Sequence, residues 1–361
     1  MKNQSQRISR VWLGALAVLS FGVAACGGNG ESAEPTTTVA PTSTTSTTEA
    51  TTTTTEEMFR FPLSGELTSD QSATERVAMI VKVDNNNANA RPQRGLVDAD
   101  IVVEESVEGG ESRFLAVFHS KHPDPVGPVR SARTSDIDLM ALFGRASFSS
   151  SGGNSGTMRM IRDQDLAIFA GHDSQFGGLF FRNGDGEFAR RAPHNLFINL
   201  TELYNAISPL GSPPPMFAEF RDDDEPRLAS ATTTAGVQLR FGHNSSTWRW
   251  DGSSQTFLRE QQGTPHIDAE GRQIGATNVL LLVTPYGTSP FDPTSPEAIS
   301  VGSGEAWLLS DGHVTYGKWS RADRSEPYLL TDETGKTLKL LPGQTWVELL
   351  RKELPPEFLA S

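Results

Sequence analysis

The sequence has little cysteine and too few positive charges to match its negative ones. Its single cysteine, Cys26, leaves no pair for an internal disulfide and no cysteine cluster for a metal. The 31 lysines and arginines face 44 aspartates and glutamates, which gives a formal charge of −13. Because neutralising phosphates requires a surplus of cations, this balance excludes a general nucleic-acid binder.

The N-terminus lacks an apolar run long enough to span a bilayer comfortably. Residues 11–25 are apolar apart from Ser20, and they follow a short segment that carries Lys and Arg. This order is typical of a signal peptide. Residues 23–26, Val-Ala-Ala-Cys, resemble the bacterial lipobox, which implies that Cys26 is diacylated and becomes the new N-terminus. A plain secretory signal with an incidental cysteine is the alternative.

Residues 26–57 are dominated by threonine, with scattered proline and glutamate. Such a segment has no apolar surface with which to offset the entropy lost on ordering, so we predict a disordered tether. Anionic headgroups repel an acidic body, so the acyl chains on Cys26 must hold it at the bilayer. We therefore predict a signal peptide at residues 1–25 and a protein anchored to the cell membrane by lipid, facing the extracytoplasmic side.

The chain after the tether is long enough for two domains. A proline-rich stretch at residues 208–215, Ser-Pro-Leu-Gly-Ser-Pro-Pro-Pro, predicts a semi-rigid spacer between them. We predict an N-terminal domain at residues 58–210 and a β-rich C-terminal domain at residues 211–361.

The first domain has the pattern of an α+β fold, a mixed sheet with helices packed on it. Runs rich in β-branched and aromatic residues predict strands, and each of the first three leads into a charged loop. Strands and helices alternate imperfectly, so α+β is favoured over a doubly wound sheet. The predicted strands are residues 77–83, 99–103, 113–119 and 146–149, and the predicted helices are residues 134–143, 157–162 and 195–207.

The second domain is predicted to be mainly β. Asp311-Gly312 between two alternating apolar runs is a strong hairpin signal, and Gly252-Ser253 predicts a second hairpin. We expect consecutive strands to pair as a meander. The predicted strands are residues 237–241, 247–251, 255–260, 279–284, 306–309, 314–319, 328–330, 337–341 and 346–350.

Several motifs read together resemble the YerB-like lipoprotein family. They are residues 91–96 (RPQRGL), 99–104 (ADIVVE), 108–110 (EGG), 126–133 (VGPVRSAR), 192–195 (APHN) and 265–268 (PHID), with the stretches 302–319 and 342–346. The resemblance covers essentially everything after the tether. It implies an α+β domain joined to a β-rich one in a surface lipoprotein. No molecular role comes with the family, so it assigns no catalytic residue.

Two arginines next to a predicted helix start form the sharpest candidate site. Arg130 and Arg133 lie in the VGPVRSAR segment. A planar guanidinium suits two-point capture of a carboxylate or phosphate, and a helix N-terminus adds unpaired N–H donors. The equal alternative is that both arginines pair with Glu104, Glu105 or Glu108 in a structural ion-pair network.

Acidic side chains and one histidine complete the candidate site. A hydrolase needs two carboxylates held apart or one with a raised pKa, which Glu104 and Glu108 could supply, but solvated or ion-paired carboxylates are the plainer interpretation. His194, between a proline and Asn195 at the start of a predicted helix, could donate to a ligand oxygen or act as a general base. Its alternative is a capping or packing role.

Two weaker signals have plain alternatives. The Gly/Ser-rich loop at residues 149–156 follows a predicted strand and could cradle an anion with backbone N–H groups, or serve only as a connector. Trp248, Trp250, Trp319 and Trp346 could stack on a sugar, but tryptophans in a small β domain more often build its core.

Three functions remain open from the sequence. The first, which we favour, is a membrane-tethered protein that binds an anionic or glycan ligand of the cell envelope. The second is an envelope hydrolase or transferase with Glu104 or Glu108 as acid/base and the arginines stabilising negative charge. The third is a structural scaffold for an envelope protein. The predicted ligand-binding residues are Asp84, Glu104, Glu108, Arg113, Arg130, Arg133, His194 and Asn195.

Metal and cofactor sites have no signature in this sequence. No two histidines have the i, i+4 spacing of a zinc helix. We therefore predict no metal, no cofactor and no nucleic-acid partner, and we leave the protein partner and the oligomeric state open.

Overall fold

The computed structural model describes residues 57–185 and 189–360. The predicted signal peptide, Cys26 and nearly all of the predicted tether lie outside the described residues. Within the described part, no helix combines the length and the apolar character needed to cross a membrane.

The first half of the described chain alternates short strands with helices. Its strands are β1 (Phe59–Arg60), β2 (Leu67–Thr68), β3 (Met79–Asp84), β4 (Ile101–Ser106), β5 (Ser112–Phe118), β6 (Ser147–Ser149), β7 (Ile168–Phe169), β8 (Phe180–Arg182) and β9 (Leu196–Ile198). Its helices are α1 (Gln71–Thr74), α2 (Ser135–Met140), α3 (Ser155–Asp163) and α4 (Leu200–Ile207). Short 3-10 turns occur at Ala88–Ala90, Leu96–Asp98, Glu108–Gly110, Ala141–Phe143 and Gly177–Leu179.

The second half is built from strands. They are β10 (Thr232–Thr233), β11 (Gly236–Phe241), β12 (Asn244–Asp251), β13 (Thr256–Gln261), β14 (Thr264–Pro265), β15 (Gly275–Ala276), β16 (Asn278–Val283), β17 (Tyr286–Thr288), β18 (Pro296–Ala298), β19 (Gly302–Ser310), β20 (His313–Arg321), β21 (Leu329–Asp332), β22 (Thr345–Leu350) and β23 (Glu357–Leu359). The mixture of helices with strand-rich sheets is the predicted α+β class.

Strands from both halves form one large sheet. Its order is β10-β20-β19-β16-β22-β4-β5-β3-β6-β7, with β21 paired to β20. Strand β22 runs parallel to both neighbours, so that Thr345 lies beside Asn278 on one side and Ile101 on the other. The prediction of a simple meander is therefore wrong at β22, because this strand pairs with β4 from the first half of the chain.

The central strands are buried along their whole length, as the nearly continuous apolar runs of β3, β4 and β5 require. Successive side chains point to opposite faces, so Ile80 and Val81 belong to two different hydrophobic cores. The core that contains Ile80 packs against α2 and α3. The core that contains Val81 packs against α4 and the second sheet.

The second sheet has the order β14-β13-β12-β11-β23, with β15 paired to β13. Its β12–β13 hairpin is the predicted one, with Trp248 opposite Arg259. The predicted hairpin of β19 and β20 is confirmed as well. Its turn residues Asp311 and Gly312 have φ values of 50° and 67°, the positive pair that a type I′ turn requires.

Two local predictions are wrong. Residues 195–207 were expected to form one helix, whereas β9 occupies Leu196–Ile198 and α4 begins only at Leu200. His194 therefore precedes a strand instead of opening a helix. Residues 337–341 form no strand of their own and contribute only isolated bridges, one of them Phe220 to Leu340.

Candidate functional site

Asp84, at the end of β3, brings two of the predicted site residues together. Its carboxylate is fully buried, and Oδ2 lies 3.1 Å from Arg130 Nε and 2.7 Å from His194 Nδ1. The other oxygen, Oδ1, accepts a hydrogen bond of 3.1 Å from the backbone N–H of Asn86. Arg130 and His194, which the sequence analysis predicted separately, thus contact the same oxygen of Asp84.

The backbone explains why these side chains meet. The segment that carries Arg130 lies beside β3, with a bridge from Val83 to Val129 and a 2.8 Å hydrogen bond from the N–H of Arg130 to the carbonyl of Lys82. The same segment bridges β9 through Val126 and Ile198. It therefore holds the turn before β9, which contains His194, against the end of β3.

His194 also lines a cleft of about 660 Å³ formed by segments 88–92 and 189–194, which we call the His194 cleft. The cleft is lined by Arg91, Arg190 and Arg191 as well as His194, and no carboxylate is among the described residues that line it. The chain as a whole carries a formal charge of −13. The lining of this cleft therefore differs in charge from the chain as a whole.

The three arginines of the cleft have only neutral hydrogen-bond acceptors close by. Arg91 Nη1 donates to Asn85 Oδ1 at 2.9 Å, and Arg190 donates to the backbone carbonyls of Ala90 and Pro92. The side chain of Arg191 makes no hydrogen bond or ion pair with any described residue. Burial lowers the pKa of both Arg91 and Arg190, and the nearby charge of Asp84 offsets this only in part.

Arg133 and Arg113 meet Glu108 instead. Arg133 Nε donates to Glu108 Oε2 at 2.8 Å, a second Arg133 nitrogen pairs with Oε1, and Arg113 Nη2 lies 3.3 Å from Oε1. Burial alone would raise the pKa of Glu108, but the hydrogen bond from Arg133 and the charge of Arg113 outweigh it and lower the pKa to about 2. This part of the predicted site has the geometry of an ion-pair network.

Charges of both signs surround Arg113. Arg130 and Arg133 lie within electrostatic reach of it, and so do the carboxylates of Glu108 and Asp84. Burial, followed by the charge of Arg133, lowers the pKa of Arg113 to about 10. Asp292 lies within reach of Arg133 in turn, so this cluster has no excess of guanidinium groups over carboxylates.

Glu104 lies away from this surface. It is fully buried, accepting from Arg259 Nη2 at 2.6 Å and from Ser112 Oγ at 2.5 Å. Glu348 stands opposite it in the parallel register of β22 and accepts a 2.8 Å hydrogen bond from Trp248 Nε1. We call these buried groups the Glu104 network. It links β4 to the second half of the chain, so Glu104 has no access to a ligand.

The Glu104 network was missed by sequence reasoning. Burial and the charge of Glu104 raise the pKa of Glu348 well above its ordinary value, which favours the protonated form of this carboxyl. Arg259 also stacks within 5.3 Å of Phe114 and 5.1 Å of Trp346. The available signal was a charged residue inside an apolar or alternating strand, as Glu104 is in β4, Arg259 in β13 and Glu348 in β22.

A second buried group surrounds Lys82, which the apolar pattern of its strand concealed. Lys82 Nζ pairs with Glu105 and lies 2.7 Å from Asp136 Oδ1 on α2, and all three side chains are fully buried. Burial raises the pKa of Asp136. This triad attaches α2 to the central sheet, which places the preceding segment with Arg130 and Arg133.

The remaining predicted residues have local structural contacts. Asn195 is buried, and its side-chain oxygen accepts a 2.8 Å hydrogen bond from Arg182. The loop at residues 149–156 caps α3, with Asn154 accepting from the N–H of Gly156. His266 of the PHID motif contacts Arg259 and Gln93 in the interior.

The tryptophans predicted either to stack on a sugar or to build the core belong to the core. Trp248, Trp319 and Trp346 are each no more than 1% exposed. Trp248 and Trp346 lie in the core that contains Val81, with the partly buried Trp250 packed beside it, and Trp319 lies in the core that contains Ile80. Among the described residues, no group of three histidine, cysteine, aspartate or glutamate side chains could hold a metal ion.

The chain belongs to a two-domain family of unknown function. Residues 63–212 match the N-terminal domain of the family described as protein of unknown function DUF3048, and residues 237–347 match its C-terminal domain. The chain is similar to YerB of Bacillus subtilis (strain 168), a candidate lipoprotein. The two are 29% identical over 300 residues, which cover 80% of this chain and 85% of YerB.

A solved structure supports the same relationship. The crystal structure of YerB from Bacillus subtilis matches with a TM-score of 0.70 at 25% identity. The match covers 83% of this chain and 99% of the crystallised chain. The family resemblance deduced from the motifs is therefore confirmed at the level of sequence and of fold.

Proposed function

We propose that this protein is a lipid-anchored binding protein of the cell envelope that captures an anionic ligand in the His194 cleft. The observation that carries the proposal is the cleft's lining: three arginines and a histidine, with no carboxylate among the described residues at its surface. Although the chain carries a formal charge of −13, this cleft concentrates cations and should attract anions.

The unused donors of the cleft suit an oxyanion. The side chain of Arg191 has no partner among the described residues, and Arg91 donates only to the neutral amides of Asn85, at 2.9 Å, and Gln262, at 3.5 Å. Guanidinium groups bind phosphate or carboxylate oxygens through two parallel hydrogen bonds. The volume of about 660 Å³ is that of a small-molecule site or of one unit of a polymer.

The anchor belongs to the same proposal. The similar protein YerB is named as a candidate lipoprotein, and Cys26 here stands in a lipobox-like sequence. Two acyl chains on Cys26 provide stable membrane attachment. Residues 27–57 would then raise the folded body from the bilayer on the extracytoplasmic side, within reach of anionic or glycan polymers of the envelope.

The test is binding of the purified protein to polyphosphate and to dextran sulfate, with uncharged dextran as the blank. We expect both polyanions to bind and the affinity to fall with added salt. Arg191→Glu should weaken binding about tenfold or more, because it removes charged hydrogen bonds and adds an anion to the cleft. The matched control is Arg240→Glu, an exposed arginine on β11 that pairs with Glu357.

Equal effects of the two charge reversals would refute the cleft as the binding site. Absence of any polyanion binding by the wild-type protein would refute the proposed function itself.

A structural scaffold is the second candidate, and a specific observation favours it. Arg130 and Arg133, the sharpest residues of the sequence prediction, pair with the protein's own Asp84 and Glu108. Such internal pairs would stabilise a protein that only assembles with a protein partner and binds no small ligand. We do not propose the hydrolase, since Glu104 is fully buried and Glu108 is held by two arginines.

A further inference from the structure

The contact between Asp84 and His194 determines which hydrogen-bonding group the cleft offers. The carboxylate of Asp84 receives a backbone N–H on Oδ1, and on Oδ2 it faces Arg130 and the imidazole. The backbone N–H and the guanidinium have no lone pair to accept a hydrogen, so the carboxyl group acts as the acceptor and His194 Nδ1 carries the hydrogen in the 2.7 Å contact. Asp84 thereby selects the tautomer of the ring.

The second ring nitrogen is then a bare acceptor. In a neutral imidazole with its hydrogen on Nδ1, Nε2 presents a lone pair and no donor. His194 Nε2 has no hydrogen-bond partner among the described residues, and its ring lines the cleft. A lone pair cannot hydrogen bond to a bare anionic oxygen, so the arginines and the histidine must contact different groups of one ligand.

The positions of the charged groups around the ring agree with separate ligand contacts for the arginines and for the histidine. Arg91, Arg190 and Arg191 line the cleft with His194, while Asp84 and Arg130 lie behind the ring. The cleft guanidiniums can take an oxyanion without help from a protonated imidazole. The histidine remains to accept a hydrogen bond from a neutral donor on the same ligand.

We infer, on the basis of the proposed function, that the ligand is a phosphate ester of a polyol or sugar. Its phosphate binds the cleft arginines, and a neighbouring hydroxyl donates to Nε2 of His194. His194 is then the residue that determines specificity, and Asp84 is a positioning residue that acts through the ring.

The experiment compares two probes of equal charge and similar length, glycerol 1-phosphate and propyl phosphate. Each displaces fluorescent polyphosphate from the purified protein at pH 8, where an ordinary histidine is neutral. We expect wild type to prefer glycerol 1-phosphate about fivefold to tenfold, the range expected for one hydrogen bond. His194→Ala should bring this ratio close to one, while Arg240→Ala should leave it at the wild-type value.

Two further variants separate this role from a general structural one. His194→Gln offers an amide oxygen at a similar place and should recover part of the ratio. Asp84→Asn should lower the ratio even when the variant remains folded by circular dichroism, because an amide no longer selects the tautomer.

The possible failures are distinguishable. If wild type binds both phosphates equally well, the hydroxyl inference is overturned and the anion-binding function stands. If His194→Ala keeps the wild-type ratio, His194 is not the specificity residue. If neither phosphate nor polyphosphate binds, the proposed function fails and this inference fails with it.

Discussion

The His194 cleft and the Glu104 network both contain arginine, yet carboxyl groups accompany it only in the network, since no described residue that lines the cleft carries one. In the Glu104 network, Arg259 is fully buried against Glu104, and Glu348, whose pKa is raised, lies within its electrostatic reach. In the cleft, Arg191 is exposed and has no partner among the described residues. Arginine content therefore does not separate a structural group from a candidate binding group; pairing and burial do.

The largest expected effect is a loss of stability on removing Arg259, the structural arginine of this comparison. Arg259→Ala leaves the charge of Glu104 buried without its cation, so the free energy of unfolding should fall by about 3–5 kcal/mol. Urea denaturation measures it. The control is Arg249→Ala on β12, an exposed arginine paired with Glu260, which should cost less than about 1 kcal/mol. Equal losses for both would contradict the role given to Arg259.

The second prediction tests the neutral state of Glu348 through pH. Its pKa is raised in the folded protein, so below the ordinary value of 4.5 both states hold the proton, and above it only the unfolded state ionises. The contribution of Glu348 to stability should therefore fall as pH rises above 4.5, by about 1.4 kcal/mol for each unit of pKa elevation.

Glu348→Gln removes this dependence, because an amide does not ionise. The variant should be more stable than wild type at pH 8 and closer to it at pH 4, with denaturation curves at both pH values as the measurement. Glu260→Gln, on the exposed pair with Arg249, is the control. A stability difference that does not change with pH would show that Glu348 is ionised in the folded state.

The third prediction concerns Glu108, which is more exposed than Glu104 and less exposed than Arg191. Its pKa is lowered to about 2 from an ordinary 4.5, so its pairing stabilises the fold above pH 4.5 and is lost as pH falls towards 2. The carboxylate is 35% exposed, and after screening by solvent Glu108→Gln should cost about 1 kcal/mol at neutral pH. Thermal unfolding at pH 7 and pH 3 checks both the size and the direction, and a larger loss at pH 3 would contradict it.

The smallest expected effect on stability is that of removing Arg191, the candidate binding arginine of the cleft. Arg191→Ala removes a side chain with no described partner, so the free energy of unfolding should change by no more than about 0.5 kcal/mol. The same variant should weaken polyanion binding, as measured in the displacement assay. A clear loss of stability would place Arg191 among the structural arginines.

Much of the local structure was predictable because it follows from local patterns. The apolar run that became β3 and the Asp311-Gly312 hairpin need only neighbouring residues to define them. The helix predicted over 195–207 failed because β9 gains its hydrogen bonds from β8 and from the segment at Val126, which are distant in sequence. The candidate site was half predictable: Asp84, Arg130 and His194 were named, but their meeting at one oxygen was not.

By itself, the sequence determined the acidic composition, the lipobox-like N-terminus, the α+β class and the family, since each depends on residue types or short motifs. Only the tertiary structure decided which charges are matched. It placed Glu104 beside Arg259, 155 positions later in the chain, and left Arg191 without a described partner. The physical reason is that charge pairing depends on the distance between two groups and on their burial. Both depend on contacts between strands that are distant in the chain, such as the parallel pair of β4 and β22, and no short sequence motif specifies such a pair.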